Sequence, residues 1–166
     1  MITPKKLPNE IVNMLLPRLT NETEAFYFYR SAANWCKNAG YDFAAAYFEN
    51  ESTDELSHAK GLENYLTLWN VIPNLPVIDK PVLKFDGLVD IIEQAYEMEY
   101  ALYSAYEDTA RNLMAADLST FGFIQDYVAI QVKAVGEYSD FINQLMLINS
   151  NDKFQVFYWE NKAFKG

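Results

Sequence analysis

Apolar residues recur at spacings of three and four along most of the chain, and three long stretches carry this pattern without any proline. The stretches run from 41 to about 69, from 88 to about 115 and from 118 to about 148. This spacing places apolar side chains on one face of an α-helix. The pattern therefore predicts three long amphipathic helices.

A further helix is predicted before these three, from 8 to about 37, with a stop at the sequence Asn38, Ala39 and Gly40. Glycine adopts the left-handed conformation that ends many helices. Pro17 lies inside this stretch, where its ring removes a backbone donor and clashes with the preceding turn. We therefore expect a kink near Pro17 or a helix that begins late.

The connection between the second and third helices is long. Residues 71–86 contain Pro73, Pro76 and Pro81 and cannot form a helix. An extended chain of about 16 residues reaches roughly 50 Å, whereas a helix of about 28 residues is about 42 Å long. The connection can thus cross the whole bundle, which permits parallel second and third helices. The first two helices, joined through Gly40, must be antiparallel.

The sequence predicts an all-α fold in one domain of 166 residues, with a bundle from about 8 to 148. A short fifth helix is expected from about 152 to 164. Its aromatic residues are Phe154, Phe157, Tyr158, Trp159 and Phe164. We expect their rings to be buried between subunits, with packing against the same bundle as the alternative.

Composition narrows the possible partners. The formal net charge is -10, which disfavours nucleic acid and anionic membranes and favours metal cations. Cys36 is the single cysteine and no charged-then-apolar leader opens the sequence, so we expect a reducing cytoplasm. No apolar run approaches the roughly 20 residues of a membrane span.

Polar residues interrupt the predicted apolar faces near the middle of each helix. Glu55 and His58 are three apart, so they project from one face of the second helix. Glu22 shares a face with apolar residues, whereas nearby Glu24 does not. The corresponding residues of the third and fourth helices are Glu99 and Gln131. Because the three glutamates and Gln131 lie about 11 to 14 positions after their helix begins, they should converge at one height, with His58 one turn beyond Glu55.

Three carboxylates, an imidazole and an amide form a hard, oxygen-rich ligand set that suits iron. The alternative is that each residue is satisfied separately by hydrogen bonds. We find no arginine or lysine on the inner faces to pair the glutamates. Three buried carboxylates must then stay protonated or hold cations, and the sequence favours cations.

These residues resemble the ferritin family over nearly the whole chain. The matching segments are Asn21-Glu22, Tyr29, residues 50–59, residues 79–81, Glu99 and residues 131–135, and the separation of 33 between Glu22 and Glu55 is typical of ferritins. The segment around Gln131 is similar to the animal heavy-chain type. The resemblance implies one iron held by Glu22, Glu55 and His58. Glu55 would bridge to a second iron, which is held by Glu99 and supported by Gln131.

Other features of the family are absent or less specific. Ile130, Lys133 and Ala134 stand where prokaryotic ferritins carry further glutamates, so a third iron site is not expected. Leu56 replaces the methionine of haem-binding bacterioferritins, and His58 is the only histidine, so we expect no haem. The single histidine equally disfavours rubrerythrin-like enzymes.

Three more residues have two possible roles each. Tyr29 is either ordinary core or a hydrogen-bond donor and electron source behind the ligands. Glu51 and Asp54 match family positions that guide iron along the inner surface, although a solvated helix face explains them equally well.

The resemblance implies an iron-storage subunit that oxidises Fe(II) with dioxygen or peroxide. It further implies a hollow homo-oligomeric shell of 24 subunits. Two alternatives stay open: a di-iron oxidase that acts on an organic substrate, and a non-catalytic shell-forming or iron-binding subunit.

Overall fold

The computed structural model describes residues 1–81 and 84–165, and it contains the five predicted helices in order. They are α1 (Asn9–Ala39), α2 (Asp42–Leu68), α3 (Leu88–Ala116), α4 (Leu118–Leu145) and α5 (Lys153–Ala163). No strand occurs in this part of the chain. The predicted all-α bundle with a short fifth helix is confirmed, although α4 ends at Leu145 rather than near 148. Gly166, at the end of the predicted tail, lies outside the described residues.

The first helix runs without interruption through Pro17, so the expected late start is wrong. Buried Leu15 and Leu19 lie on either side of the proline and anchor both segments in the core. Pro17 and Asn13 face the solvent, where water can satisfy the carbonyl that the missing N–H leaves free. Packing therefore outweighs the lost hydrogen bond.

The turn from α1 to α2 depends on Gly40, whose φ of +88° lies in the left-handed region. This conformation lets the Tyr41 N–H donate to the carbonyl of Cys36 at 2.9 Å. The chain then reverses, and Arg30 of α1 pairs with Glu49 of α2. The predicted antiparallel arrangement of the first two helices is confirmed.

Side-chain contacts fix the directions of the remaining helices. Tyr29 of α1 contacts Glu99 of α3, and Glu22 contacts Tyr106, so α3 runs antiparallel to α1. Because α2 is also antiparallel to α1, α2 and α3 are parallel, as the long connection predicted. The described residues of that connection contain no helix or strand from 71 to 81, and its residues 82 and 83 lie outside the described part.

Two apolar clusters fill the bundle, one on each side of its middle. The first includes Tyr29, Ala33, Phe48, Ile92 and Tyr138, and the second includes Leu15, Leu19, Leu62, Tyr106 and Ile124. Each cluster draws on all four long helices. The clusters hold the helices in register and leave a polar layer between them.

The fifth helix packs against its own bundle. Glu160 is fully buried and accepts hydrogen bonds from the Phe43 and Ala44 N–H groups at 2.9 and 2.8 Å, which caps the start of α2. Trp159 is buried and donates to Gln144 at 3.1 Å. The expectation of burial between subunits is therefore wrong for Trp159, because the Glu160 cap holds α5 on this bundle.

Of the other four aromatic side chains of the tail, one packs on the bundle and three are exposed. Phe164 packs on Tyr47 with ring centroids 4.8 Å apart, whereas Phe154, Phe157 and Tyr158 remain exposed.

No helix in the described ranges combines the length and the hydropathy that crossing a membrane requires.

Candidate metal centre

The polar layer at the middle of the bundle receives one buried residue from each long helix. The exposed fractions are 0% for Glu22, 4% for Glu55, 1% for Glu99 and 1% for Gln131. Glu24, two residues from Glu22, is exposed. The burial predicted from the helical faces is confirmed, because apolar clusters above and below this layer exclude water from it.

Glu22, Glu55 and His58 come together in space. Each offers one ligand atom, and the three atoms lie within 4.8 Å of one another. His58 Nδ1 is 3.1 Å from Glu55 Oε2 and 3.6 Å from Glu22 Oε2. His58 keeps 21% of its side chain exposed, so the cluster has one edge open to solvent. Two carboxylates and one imidazole at this spacing can hold a divalent cation.

Glu99 and Gln131 extend the layer across α3 and α4. Tyr29 donates a hydrogen bond to Glu99 Oε1, which leaves Oε2 of the same carboxylate for another partner. Glu22 Oε2, Glu99 Oε2 and Gln131 Oε1 are buried, and none has a hydrogen-bond partner among the described residues. A buried oxygen without a partner costs about 1–3 kcal/mol. Cation ligation would satisfy such oxygens, so the donor set fits a metal.

The pKa values of the buried glutamates indicate which of them carry a proton when no metal is bound. Burial raises the pKa of Glu55 well above its usual range, although the His58 hydrogen bond opposes this. Burial also acts to raise the pKa of Glu22, but the close approach of His58 and Glu55, together with the Tyr106 hydrogen bond, outweighs it and lowers that pKa. The layer therefore keeps Glu22 charged and a proton on Glu55.

His58 and Glu99 also carry protons near neutral pH. Burial alone would lower the pKa of His58, but Glu22 and Glu55 raise it to about 10. Burial raises the pKa of Glu99 to about 7, against the opposing effect of the Tyr29 hydrogen bond. Protons thus occupy the layer where a metal would bind, and metal binding must release them.

Tyr106 and Arg18 belong to the surroundings of the site, and the sequence did not indicate their roles. Tyr106 donates a hydrogen bond to Glu22 Oε1. The Arg18 guanidinium lies 5.8 Å from the centroid of the Tyr106 ring, and its Nη1 donates to Thr109 at 3.4 Å. Arg18 therefore lies near the layer, but none of the described ion pairs joins an arginine or a lysine to the three buried glutamates, as the sequence predicted.

Tyr127 of α4 contacts the backbone of the cluster residue His58. Its hydroxyl donates to the backbone carbonyl of His58 at 2.8 Å, and the two rings are 6.1 Å apart. A methyl group at Gly61 would overlap this hydroxyl, so the glycine leaves the space in which the hydrogen bond forms. Heptad position could have identified Tyr127 as a core residue, but only the distance across helices reveals the hydrogen bond.

The three other predicted residues lie at or beyond the edge of the cluster. Tyr29 is fully buried against Glu99. Glu51 is half-buried, and burial together with Glu137 and Glu99 raises its pKa to about 8. Asp54 is exposed. Neither Glu51 nor Asp54 belongs to the group of ligand atoms within 4.8 Å of one another.

A four-helix bundle with a long connection between its parallel second and third helices, and with buried carboxylates and a histidine at mid-height, is typical of the class of metal-binding helical bundles. Within this class, the ferritin-like domain family matches residues 12–148. The chain therefore belongs to the ferritin family.

Known proteins similar to this chain agree with that assignment. A bacterial non-heme ferritin of Campylobacter jejuni is 27% identical over 146 residues, which cover 87% of each protein. One from Escherichia coli O157:H7 is 24% identical over 142 residues, or 85% of this chain and 86% of that protein. The open pore ferritin of the archaeon Archaeoglobus fulgidus has the same fold. Its TM-score is 0.88 at 22% identity, with 95% of this chain and 96% of that chain covered.

The protonated layer predicts how stability depends on pH without metal. Relative to its value at alkaline pH, the His58 contribution is fully present below the usual pKa of 6.5 and is lost as pH rises to about 10. The Glu99 contribution is lost earlier, from its usual pKa of 4.5 to about 7. Chelator-treated protein should therefore melt at a lower temperature at pH 8.5 than at pH 6.5, as calorimetry can measure.

His58→Gln is the matched control, because it removes the histidine and should reduce this slope to the part that the glutamates contribute. Added Mn(II) should raise the melting temperature most at pH 8.5, where fewer protons compete with it. Equal melting temperatures of the chelator-treated native protein at the two pH values would contradict this account.

Gly61→Ala should weaken metal binding by about 10-fold, because the new methyl group displaces the Tyr127 hydroxyl from the His58 carbonyl. Cobalt(II) titration followed by absorption measures the change. Gly136→Ala is the control, since nothing lies within 4 Å of that position and alanine favours the helix. If both variants bind cobalt like the native protein, Tyr127 does not position His58.

Proposed function

We propose that this chain is an iron-storage ferritin subunit that oxidises Fe(II) to Fe(III) with dioxygen or peroxide at an intrasubunit di-iron site. The ferric product is deposited as mineral inside a hollow shell. The observation that carries the proposal is the set of buried oxygens on Glu22, Glu99 and Gln131 that have no hydrogen-bond partner in the described chain. Of these residues, Glu22 belongs to the group of ligand atoms with Glu55 and His58.

Two iron ions fit the layer as substrate. Glu22, Glu55 and His58 hold the first, and Glu55 bridges to the second, which Glu99 and Gln131 complete. Oxygen-rich ligands with one imidazole suit iron better than thiolate-binding metals. Tyr29 and Tyr106 each occupy one carboxylate oxygen of Glu99 and Glu22, which leaves the other oxygen for metal. No haem takes part.

The charge of the site favours turnover. Three carboxylates supply about -3, against +4 for two ferrous ions and +6 after oxidation, so the ferric pair is less well neutralised. The position beside neutral Gln131 has the fewest charged ligands. Oxidised iron therefore leaves from that side. In this scheme, two ferrous ions each give one electron, and dioxygen takes both with two protons to form hydrogen peroxide.

Glu51 and Asp54 are proposed to guide iron between the site and the shell interior. Glu51 is half-buried and Asp54 exposed, and they lie on the same helix as Glu55. This arrangement supports a path of carboxylates from solvent to the metal layer. Because Cys36 is the single cysteine, a reducing cytoplasm is the proposed location.

The relatives named as bacterial non-heme ferritins support iron storage over the two alternatives. An organic-substrate oxidase needs a substrate pocket at its metals. One cavity of about 720 Å³ is lined by Phe28, Glu93, Tyr96 and Ile142 among others, and none of its lining residues is a candidate ligand. A non-catalytic subunit needs no complete ligand set in its core.

Glu55→Ala removes the proposed bridge between the two irons and should slow the initial oxidation of excess Fe(II) by more than about 100-fold. Changing a residue that only supports a ligand costs about 10- to 100-fold, and loss of a shared ligand should cost more. Stopped-flow absorbance measures this rate. Glu24→Ala is the control on the exposed face of α1 and should keep the native rate. An unchanged initial rate in Glu55→Ala would defeat the assignment of the site.

The storage function predicts a large closed particle. Twenty-four copies of a 19.2 kDa chain give a mass of roughly 460 kDa, which light scattering can measure. A dimer would contradict the storage proposal and favour the oxidase. An intact shell with no Fe(II) oxidation faster than buffer would favour the non-catalytic subunit.

A further inference from the structure

Two stacked tyrosines contact the group of Glu22, Glu55 and His58. The rings of Tyr106 on α3 and Tyr127 on α4 have centroids 5.2 Å apart and planes inclined by 23°. This separation lies within the about 4.5–7 Å of interacting aromatic pairs, so each ring restrains the other. The Tyr106 hydroxyl donates to Glu22 Oε1, while Tyr127 donates to the His58 carbonyl. The pair therefore restrains two of the three residues in the group.

Arg18 of α1 holds the Tyr106 ring in place. Its guanidinium carbon lies over the ring at 5.8 Å from the centroid, within the about 6 Å of a cation–π contact. Its Nη1 donates to Thr109 Oγ1 at 3.4 Å, three residues from Tyr106 on the same helix. Arg18 forms none of the ion pairs among the described residues, and its Nε is buried without an acceptor there. A half-buried cation in this position depends on the ring, which fixes the two side chains to each other.

The Tyr106 hydrogen bond distinguishes the two oxygens of Glu22. Oε1 accepts from the phenol, whereas Oε2 lies 3.6 Å from His58 Nδ1 and faces the group. Carboxylates hold metals through one oxygen or through both. Because Glu22 is fully buried in a packed core, it has little room to turn Oε1 away from the phenol. A phenylalanine would occupy the place of the ring but would leave Oε1 free.

We propose that Tyr106, held by Arg18, is a positioning residue that restricts Glu22 to ligation through one oxygen. The metal beside His58 then receives one ligand atom from Glu22 instead of two and is held less tightly. The consequence for release rests on the proposed function. Ferric iron formed at this position leaves faster than it would from a glutamate that chelates it through both oxygens.

Crystals of the Co(II)-loaded native protein and of Tyr106→Phe test the restriction directly. Phenylalanine keeps the ring and its stacking on Tyr127, and it removes only the donor to Glu22 Oε1. One oxygen of Glu22 should contact the cobalt beside His58 in the native protein, and both oxygens should contact it in the variant. Two contacting oxygens in the native protein, or one in the variant, would overturn the proposal.

The additional ligand atom should also tighten Co(II) binding by about 10-fold in Tyr106→Phe, the lower end of the effect of changing a group that holds a ligand. Absorption titration at pH 8.5 measures this change. Tyr65→Phe is the matched control, because its hydroxyl pairs with Thr120 at 2.8 Å, away from the layer, and it should bind cobalt like the native protein. If Tyr106→Phe binds cobalt no more tightly than the native protein does, the hydroxyl does not restrict Glu22.

Arg18→Lys tests whether Arg18 acts through Tyr106. Lysine keeps the positive charge but lacks the planar guanidinium that contacts both the ring and Thr109. The variant should bind Co(II) more tightly than the native protein, with a smaller shift than Tyr106→Phe. The double variant should bind no more tightly than Tyr106→Phe alone. Additive shifts would contradict the role of Arg18 in holding Tyr106.

Release of iron is measured in the same proteins as recovery of the fast initial rate on a second addition of Fe(II). Recovery should be several-fold slower in Tyr106→Phe than in the native protein and in Tyr65→Phe. Equal recovery in all three would overturn the link to release. If the native protein holds cobalt through one Glu22 oxygen but oxidises no Fe(II), the proposed function fails while the restriction of Glu22 stands.

Discussion

The rest of the structure is organised around the burial of three carboxylates at one height in the bundle. Glu22, Glu55 and Glu99 lie between two apolar clusters that exclude water and hold the helices in register. Such groups are stable only when protons, hydrogen bonds or cations compensate them. The raised pKa values of Glu55 and Glu99 show that protons provide part of this compensation. In the proposed function, iron binds to these carboxylates and replaces the protons.

In the proposed site, tyrosines hold some of the carboxylate oxygens and leave others for the metal. Tyr106 and Tyr29 each bond one oxygen of a glutamate and leave its second oxygen without a partner among the described residues. Tyr127 fixes the backbone at His58 from a third direction. The resulting layer is asymmetric, because two charged ligands and an imidazole meet on one side while Gln131 is neutral on the other. In the proposed function, this asymmetry favours passage of iron over its retention.

Much of the fold and of the site could be predicted from the sequence, because both depend on periodic positions along single helices. The helical faces identified Glu22 as buried and Glu24 as exposed, and the proline-rich connection indicated parallel α2 and α3. Contacts between helices were less accessible. The close approach of Tyr127 to Gly61, the position of Arg18 and the Glu160 cap on α2 depend on distances that no local pattern encodes. The course of α1 through Pro17 likewise depends on tertiary packing, which overrides local propensity.

Anomalous scattering from an iron-soaked crystal tests the central claim most directly. The account predicts two iron peaks about 3 to 4 Å apart, one between Glu22, Glu55 and His58 and the other between Glu55, Glu99 and Gln131. The peak beside Gln131 should have the lower occupancy, because that position has fewer charged ligands. A layer that binds no iron, with Glu55 and Glu99 still joined to their present protein partners, would contradict it.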